Sequence, residues 1–177
     1  MRYIYSIIGA ILLLICSTHS AFSQKETTIT RTILGCTLGV STFDSVTAML
    51  QKMDAEFEAL ESAPPRENIL FVRRGLTFTN IQPMFFFEFF DKKLAMVRVL
   101  FYTKEDSERI NNNLAAKYKN WRDFSLIEKE GGAAEDSYTL VAHTYATLED
   151  GITKYSILTY ADKALQEKRI KNETADL

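Results

Sequence analysis

Residues 84–102 read MFFFEFFDKKLAMVRVLFY, two apolar runs parted by Asp91-Lys92-Lys93. The first run is too short and too aromatic for a helix, and aromatic side chains favour a pleated, buried surface. The polar triplet supplies turn chemistry. The pattern therefore predicts a long β-hairpin at the centre of the core. Side chains alternate across a strand, so Phe85, Phe87 and Phe89 share one face, and Met84, Phe86, Glu88 and Phe90 the other. In the second run Val97, Val99 and Phe101 take one parity, with Leu94, Met96, Arg98, Leu100 and Tyr102 on the other. Both faces are apolar, the mark of a central strand covered on both sides. A helix is expected over one face, and a loop, a second subunit or a partner over the other.

Helical spacing appears twice. Val46, Met49, Leu50, Met53, Phe57 and Leu60 recur as one face of a helix that starts at Ser41-Thr42-Phe43-Asp44, with Ser41 as cap, and stops at Pro64-Pro65. Ile110, Leu114, Tyr118 and Trp121 form a second stripe over residues 103–120, capped by Thr103 or Asp106. Strands are expected at 28–38 (or an extended arm), 68–73, 76–81 and 124–127. A second hairpin, 137–147 with 152–161, turns through Glu149-Asp150-Gly151, because Asp-Gly is a strong hairpin signal. Residues 131–136 read as a mobile connection, and 162–177 as one or two helical turns that then fray. The expected fold is α+β: an antiparallel sheet of about five to seven strands with two helices on one face, in two layers. The order β-α-ββββ-α-ββ hints at two similar halves, although their residues do not align.

Residues 1–23 carry Arg2, an apolar run over 7–16, and Ala21-Phe22-Ser23. This is the pattern of an export signal cleaved after Ser23. Its apolar run is well short of the ~20 residues that span a bilayer. Cys16 follows Ile15, where a lipidation motif wants a small residue, so lipid anchoring is not expected. Residues 24–177 then form one secreted or periplasmic domain, with no membrane-spanning segment after cleavage. The mature chain has 20 basic and 23 acidic side chains and no dominant basic patch, which argues against nucleic acid as a partner. Cys36 remains alone, so no internal disulfide forms and stability must come from the core. The 12 Phe and 8 Tyr of the chain can supply it.

Candidate chemistry is sparse. Glu88, set among aromatics, is either a carboxylate with a raised pKa, able to act as general acid or base, or an ion-pair partner at the edge of the core. Cys36 and His143 are a nucleophile–base pair only if the fold brings them within hydrogen-bond reach; the alternatives are a buried thiol and a half-buried strand histidine. Metal and phosphate motifs are missing: one Cys and one His cannot make a zinc site alone, and Gly131-Gly132 precede Ala-Ala. No cofactor is expected. Arg73 and Arg74 with Arg98 are a candidate anion-binding spot, or ordinary solvated charges. Phe86, Glu88, Phe90, Arg73 and Arg98 together mark the candidate partner or ligand face.

The stretch ILGCTLGVSTFDSVTAML resembles the opening of small bacterial envelope domains of the BamE/SmpA and β-lactamase-inhibitor-protein-like kind, through Leu38, Gly39, Ser41, Val46 and Leu50. The resemblance implies a helix layer on an antiparallel sheet, in domains that mostly bind other proteins. The chain lacks the Gly-x-Pro after the helix and the lipidated Cys of the BamE group, so a role in outer-membrane assembly does not carry over. The expected function is a non-catalytic binding module for another envelope protein or a ligand. The alternatives are a homodimeric structural protein, or an enzyme using Glu88 or Cys36 with His143.

Overall fold

The computed structural model describes residues 28–61, 68–126, 129–147 and 154–175. The export signal over 1–23 with Cys16, the Pro64-Pro65 stop and the Glu149-Asp150-Gly151 turn lie outside the described residues. Those described form an α+β fold with three helices and a large antiparallel sheet. A short arm opens it, β1 (Thr32–Ile33) and β2 (Cys36–Thr37). Helix α1 (Phe43–Lys52) leads into β3 (Glu56–Glu61), β4 (Asn68–Arg74), β5 (Met84–Phe90) and β6 (Lys93–Phe101). Helix α2 (Lys104–Lys117) leads into β7 (Arg122–Leu126), β8 (Lys129–Glu135), β9 (Thr139–Thr147) and β10 (Lys154–Asp162). Helix α3 (Lys163–Ala175) closes the chain.

The sheet has eight strands in the order β3-β4-β5-β6-β10-β9-β8-β7, more than the five to seven expected. Read inward from either edge, the order is a helix-led meander of four strands. The halves join where β6 pairs with β10, Val99 opposite Leu158. The likeness of the halves is thus one of topology, completed by β7 and β8.

The 84–102 hairpin forms as the alternation predicts. Phe85, Phe87, Val97, Val99 and Phe101 lie in one cluster with Val46 and Leu50 of α1 and Ile110 and Leu114 of α2. Phe43 meets Phe89 edge-on, ring centroids 5.4 Å apart. Asp91 and Lys92 turn the hairpin at positive φ, 52° and 61°. That is the geometry of a two-residue primed turn, whose twist matches that of the flanking strands. Between Glu88–Met96 and Phe89–Leu94 the register shifts, leaving Ala95 as a bulge in β6; Leu94, expected on the face of Met96 and Leu100, is thereby turned into the core cluster opposite Phe89.

Four local expectations change. The first helix ends at Lys52: Asp54 takes φ 52° and residues 56–61 become an edge strand. Phe57 and Leu60 are three apart, which suits a helix face, but they point to opposite sides of that strand, opposite Val72 and Ile69. Thr42, not Ser41, caps α1, in a reciprocal box with Ser45; Ser41 instead accepts from the Thr37 amide at 2.9 Å. Residues 76–81 are no strand but a tight turn, Phe78 bridged to Ile81 with Thr79 and Asn80 at positive φ. Residues 131–135, expected to be mobile, belong to β8, where Gly131, Gly132, Ala133 and Ala134 are small enough to pack closely. A Cβ at Gly131 would strike the His143 carbonyl, and one at Gly132 would enter the Trp121 indole.

The tail is helical through Ala175 rather than for one or two turns. Its anchors are polar. Lys163 meets Glu135 at 2.8 Å, Lys168 meets Asp91 at 2.6 Å, and Gln166 donates to the Ala95 carbonyl at the bulge, 3.4 Å away. At the other end, Arg31 of the arm reaches Asp162 at 2.6 Å. No helix among the described residues is long and apolar enough to cross a membrane.

Candidate functional site

Alternation carries Phe71, Phe86, Arg98 and Leu100 to the face opposite the core cluster, and cross-strand register sets them side by side. Phe71 pairs with Phe86, and Phe86 with Arg98. The two rings stack, centroids 4.6 Å apart at 21°. A guanidinium closes each end: Arg73 lies 5.3 Å from the Phe71 centroid and Arg98 5.9 Å from that of Phe86. This places the cations over the electron-rich ring faces.

Each guanidinium also has a carboxylate. Arg73 meets Glu58 at 2.9 Å in the open, and Arg98 is bonded to the buried Glu88. Arg169 of α3 approaches Glu88 from the other side, at 3.8 Å. Glu88 is only 3% exposed. A carboxylate so buried must be compensated, and the two arginines do that. The candidate anion spot over Arg73 and Arg98 is therefore a row of ion pairs. Four of the five expected face residues, Arg73, Phe86, Glu88 and Arg98, come together. Phe90 shares their face but is buried beside the hairpin turn.

Next to this row is a depression of about 350 Å³, lined by Leu60, Ile69, Phe86, Arg98, Leu100, Tyr102, Tyr155 and Ile157. Leu60, Tyr155 and Ile157 were not legible as site residues. Leu60 sits in what reads as a helix, and nothing in the alternation of residues 154–162 says that β10 lies beside β6. Phe86, Leu100, Tyr155 and Ile157 are each partly exposed.

Cys36 and His143 are not each other's partners. Burial pushes the Cys36 thiol up to about 11 and the His143 imidazole down to about 4. His143 is fully buried, not half-buried, and sits in a polar chain beneath the sheet. Ser107 donates to the Thr103 carbonyl at 2.8 Å. Its one proton is then spent, so in the 2.7 Å contact with Ser156 the donor is Ser156. Nε2 of His143, 3.0 Å from Ser156, must in turn donate. Nδ1 is left as an acceptor; Asn111 Oδ1 lies 3.4 Å from it, so the amide must turn its NH2 inward to donate there. The protons run from the imidazole towards the serines, the reverse of what a general base needs.

No group of three or more His, Cys, Asp or Glu able to hold a metal occurs among the described residues. Comparison of the chain with known families, with curated proteins and with solved structures finds no match in any of the three.

Proposed function

We propose that the chain is an exported, non-catalytic binding domain that recognises an apolar surface or ligand through the sheet face bearing Phe86, Leu100 and Ile157. On this reading α1 and α2 form one layer over the opposite face, as the contacts Phe43–Phe89 and Ser107–Ser156 suggest. The architecture is then that of the small envelope domains the N-terminal stretch resembles. The observation that carries the reading is the 350 Å³ depression, lined mainly by carbon, which runs from the edge strand β3 across β4, β5 and β6 to β10. An antiparallel sheet with a wetted face alternates towards polar side chains there. This one keeps Leu, Ile, Phe and Tyr, and apolar concavities with few polar groups are the usual form of ligand sites.

The test is a neutral apolar fluorophore, Nile red, titrated with the exported chain. Saturable binding is expected, reduced at least fivefold by Ile157→Asp, which places a charge in the depression. No saturable binding, or binding indifferent to Ile157→Asp in a folded variant, refutes the proposal. Sedimentation at tens of micromolar addresses the competing homodimer. A dimer that Ile157→Asp splits would mean that a second copy fills the face.

A further inference from the structure

We infer that α3 is a hinged strap over the far end of this same face, and that lifting it lengthens the depression towards the turn of the 84–102 hairpin. This rests on the binding reading above and adds its regulation.

Register places the helix at the rim of the depression. Along β5 the positions on this face run Met84, Phe86, Glu88 and Phe90, and Glu88 stands across from Ile69 of β4 and Met96 of β6. Phe86 and Ile69 line the depression, so Glu88 is the next position beyond its wall. There α3 covers the sheet. Arg169 approaches Glu88 at 3.8 Å, Gln166 reaches the Ala95 carbonyl and Lys168 meets Asp91. Glu88 and Asp91 flank Phe90 along the chain and Ala95 stands on the paired strand, so the helix spans its position. Exposure falls in step along two strands. Phe86 is partly exposed, whereas Glu88 and Phe90 are buried; on β10, Ile157 and Thr159 are partly exposed, whereas Ala161 is buried. Phe90 and Ala161 lie outside the core cluster, so the helices on the opposite face are not what buries them.

The way the helix is held makes it a strap. Its first turn is pinned. Asp162 accepts from the Leu165 amide at 3.0 Å while Arg31 holds its other oxygen, and the Lys163 amide donates to the Tyr138 carbonyl at 3.0 Å. Further along, the hold is polar, and Lys168 and Asp91 are both exposed. Apolar anchorage is slight: of Ala164, Leu165 and Ile170, only Leu165 is partly buried. Exposed ion pairs hold weakly and are screened by salt. Once lifted, the segment loses its helix, because isolated helices shorter than about 12–15 residues are marginal in water. Lifting leaves Glu88 its bond to Arg98, so the carboxylate keeps a partner. An apolar guest that outgrows the depression and α3 therefore compete for Phe90. By linkage, whatever loosens the helix tightens the guest by the factor by which the guest loosens the helix.

The experiment joins amide hydrogen exchange to Nile red titration of the exported chain. Lys168→Glu sets a second carboxylate beside Asp91 at an exposed position. Exchange over residues 167–173 should quicken about tenfold while β5 and β6 stay protected. Nile red should bind about threefold tighter, and Ile157→Asp should still weaken it. Should Lys168→Glu unfold, the wild type decides, because raising sodium chloride from about 0.05 to about 0.5 M must speed exchange of the same α3 amides and spare the hairpin. Faster exchange with unchanged Nile red affinity overturns the strap while the binding reading stands, and so does exchange indifferent to both the substitution and salt. Tighter binding that Ile157→Asp leaves alone marks a separate site and overturns the inference. No binding by either protein overturns both readings.

Discussion

Burial of His143 makes stability depend on pH in a window where few other groups titrate. The imidazole is wholly inside, and its surroundings, Asn111, Ser107, Ser156 and Tyr145, include no charged group. In the unfolded chain it takes a proton near 6.5; in the native protein it holds out to about 4. The native value is the depressed one, so as pH falls the unfolded state gains the proton first. Stability is therefore full above about pH 6.5, declines as pH falls from there, and is flat with respect to this group below about 4. The two values differ by about 2.5, and at about 1.4 kcal/mol per pH unit the full effect is about 3 kcal/mol. Against a domain stability of about 5–15 kcal/mol, that is a visible fraction. Urea melts at half-unit steps from pH 7.5 to 4.5 should show it. The control is His143→Gln, which cannot titrate. Asp91 and Glu135, held low by Lys168 and Lys163, lose their pairs at lower pH equally in both proteins. The difference between the two curves isolates the imidazole, and NMR of the native protein should find Nε2 protonated at pH 7. Parallel curves, or a native imidazole titrating near 6.5, would refute the burial, and a native imidazole protonated at Nδ1 would refute the proton order deduced for the chain of serines.

Three other perturbations address separate parts of the fold. Glu88→Ala strands Arg98 and Arg169 around a gap and should cost about 3 kcal/mol, with a coupling to Arg98→Ala above about 1 kcal/mol in a double-mutant cycle read by chemical denaturation. Gly131→Ala gains about 0.4–1 kcal/mol from a stiffer unfolded chain but forces β8 off the His143 carbonyl, an overpacking cost of about 1–3 kcal/mol. A net fall in melting temperature is expected, and a rise would mean that the strand gives way freely. Cys36, buried and pushed up to about 11, should react with a disulfide reagent at pH 8 only when urea unfolds the protein, since its thiolate fraction is on the order of one in a thousand.

Alternation alone determined the middle of this protein. Residues 84–102 carry oily side chains at both parities in short aromatic runs, which suits an inner strand covered on both faces, and Asp91 and Lys92 turn where no apolar side chain is lost. The core stripes Val46–Leu50 and Ile110–Leu114, the Thr103 cap and the opposed parity of Phe86, Glu88 and Arg98 were legible for the same reason: each follows from spacing within one element. What lay between elements was not. Phe57 and Leu60 are spaced for one face of a helix and fall on opposite faces of a strand, and only pairing with Val72 and Ile69 chose the strand. Gly131 to Ala134 look like a linker until the Trp121 indole occupies the space that a larger side chain would need. The charged tail has too few apolar residues to announce a docked helix, yet Asp91, Ala95 and Glu88 stand ready with the polar partners it needs. The depression on the second face arises only when β10 comes to lie against β6, since its walls come from strands nearly a hundred residues apart in the chain. Local periodicity decides what a segment can be, and only long-range pairing decides which neighbour completes it.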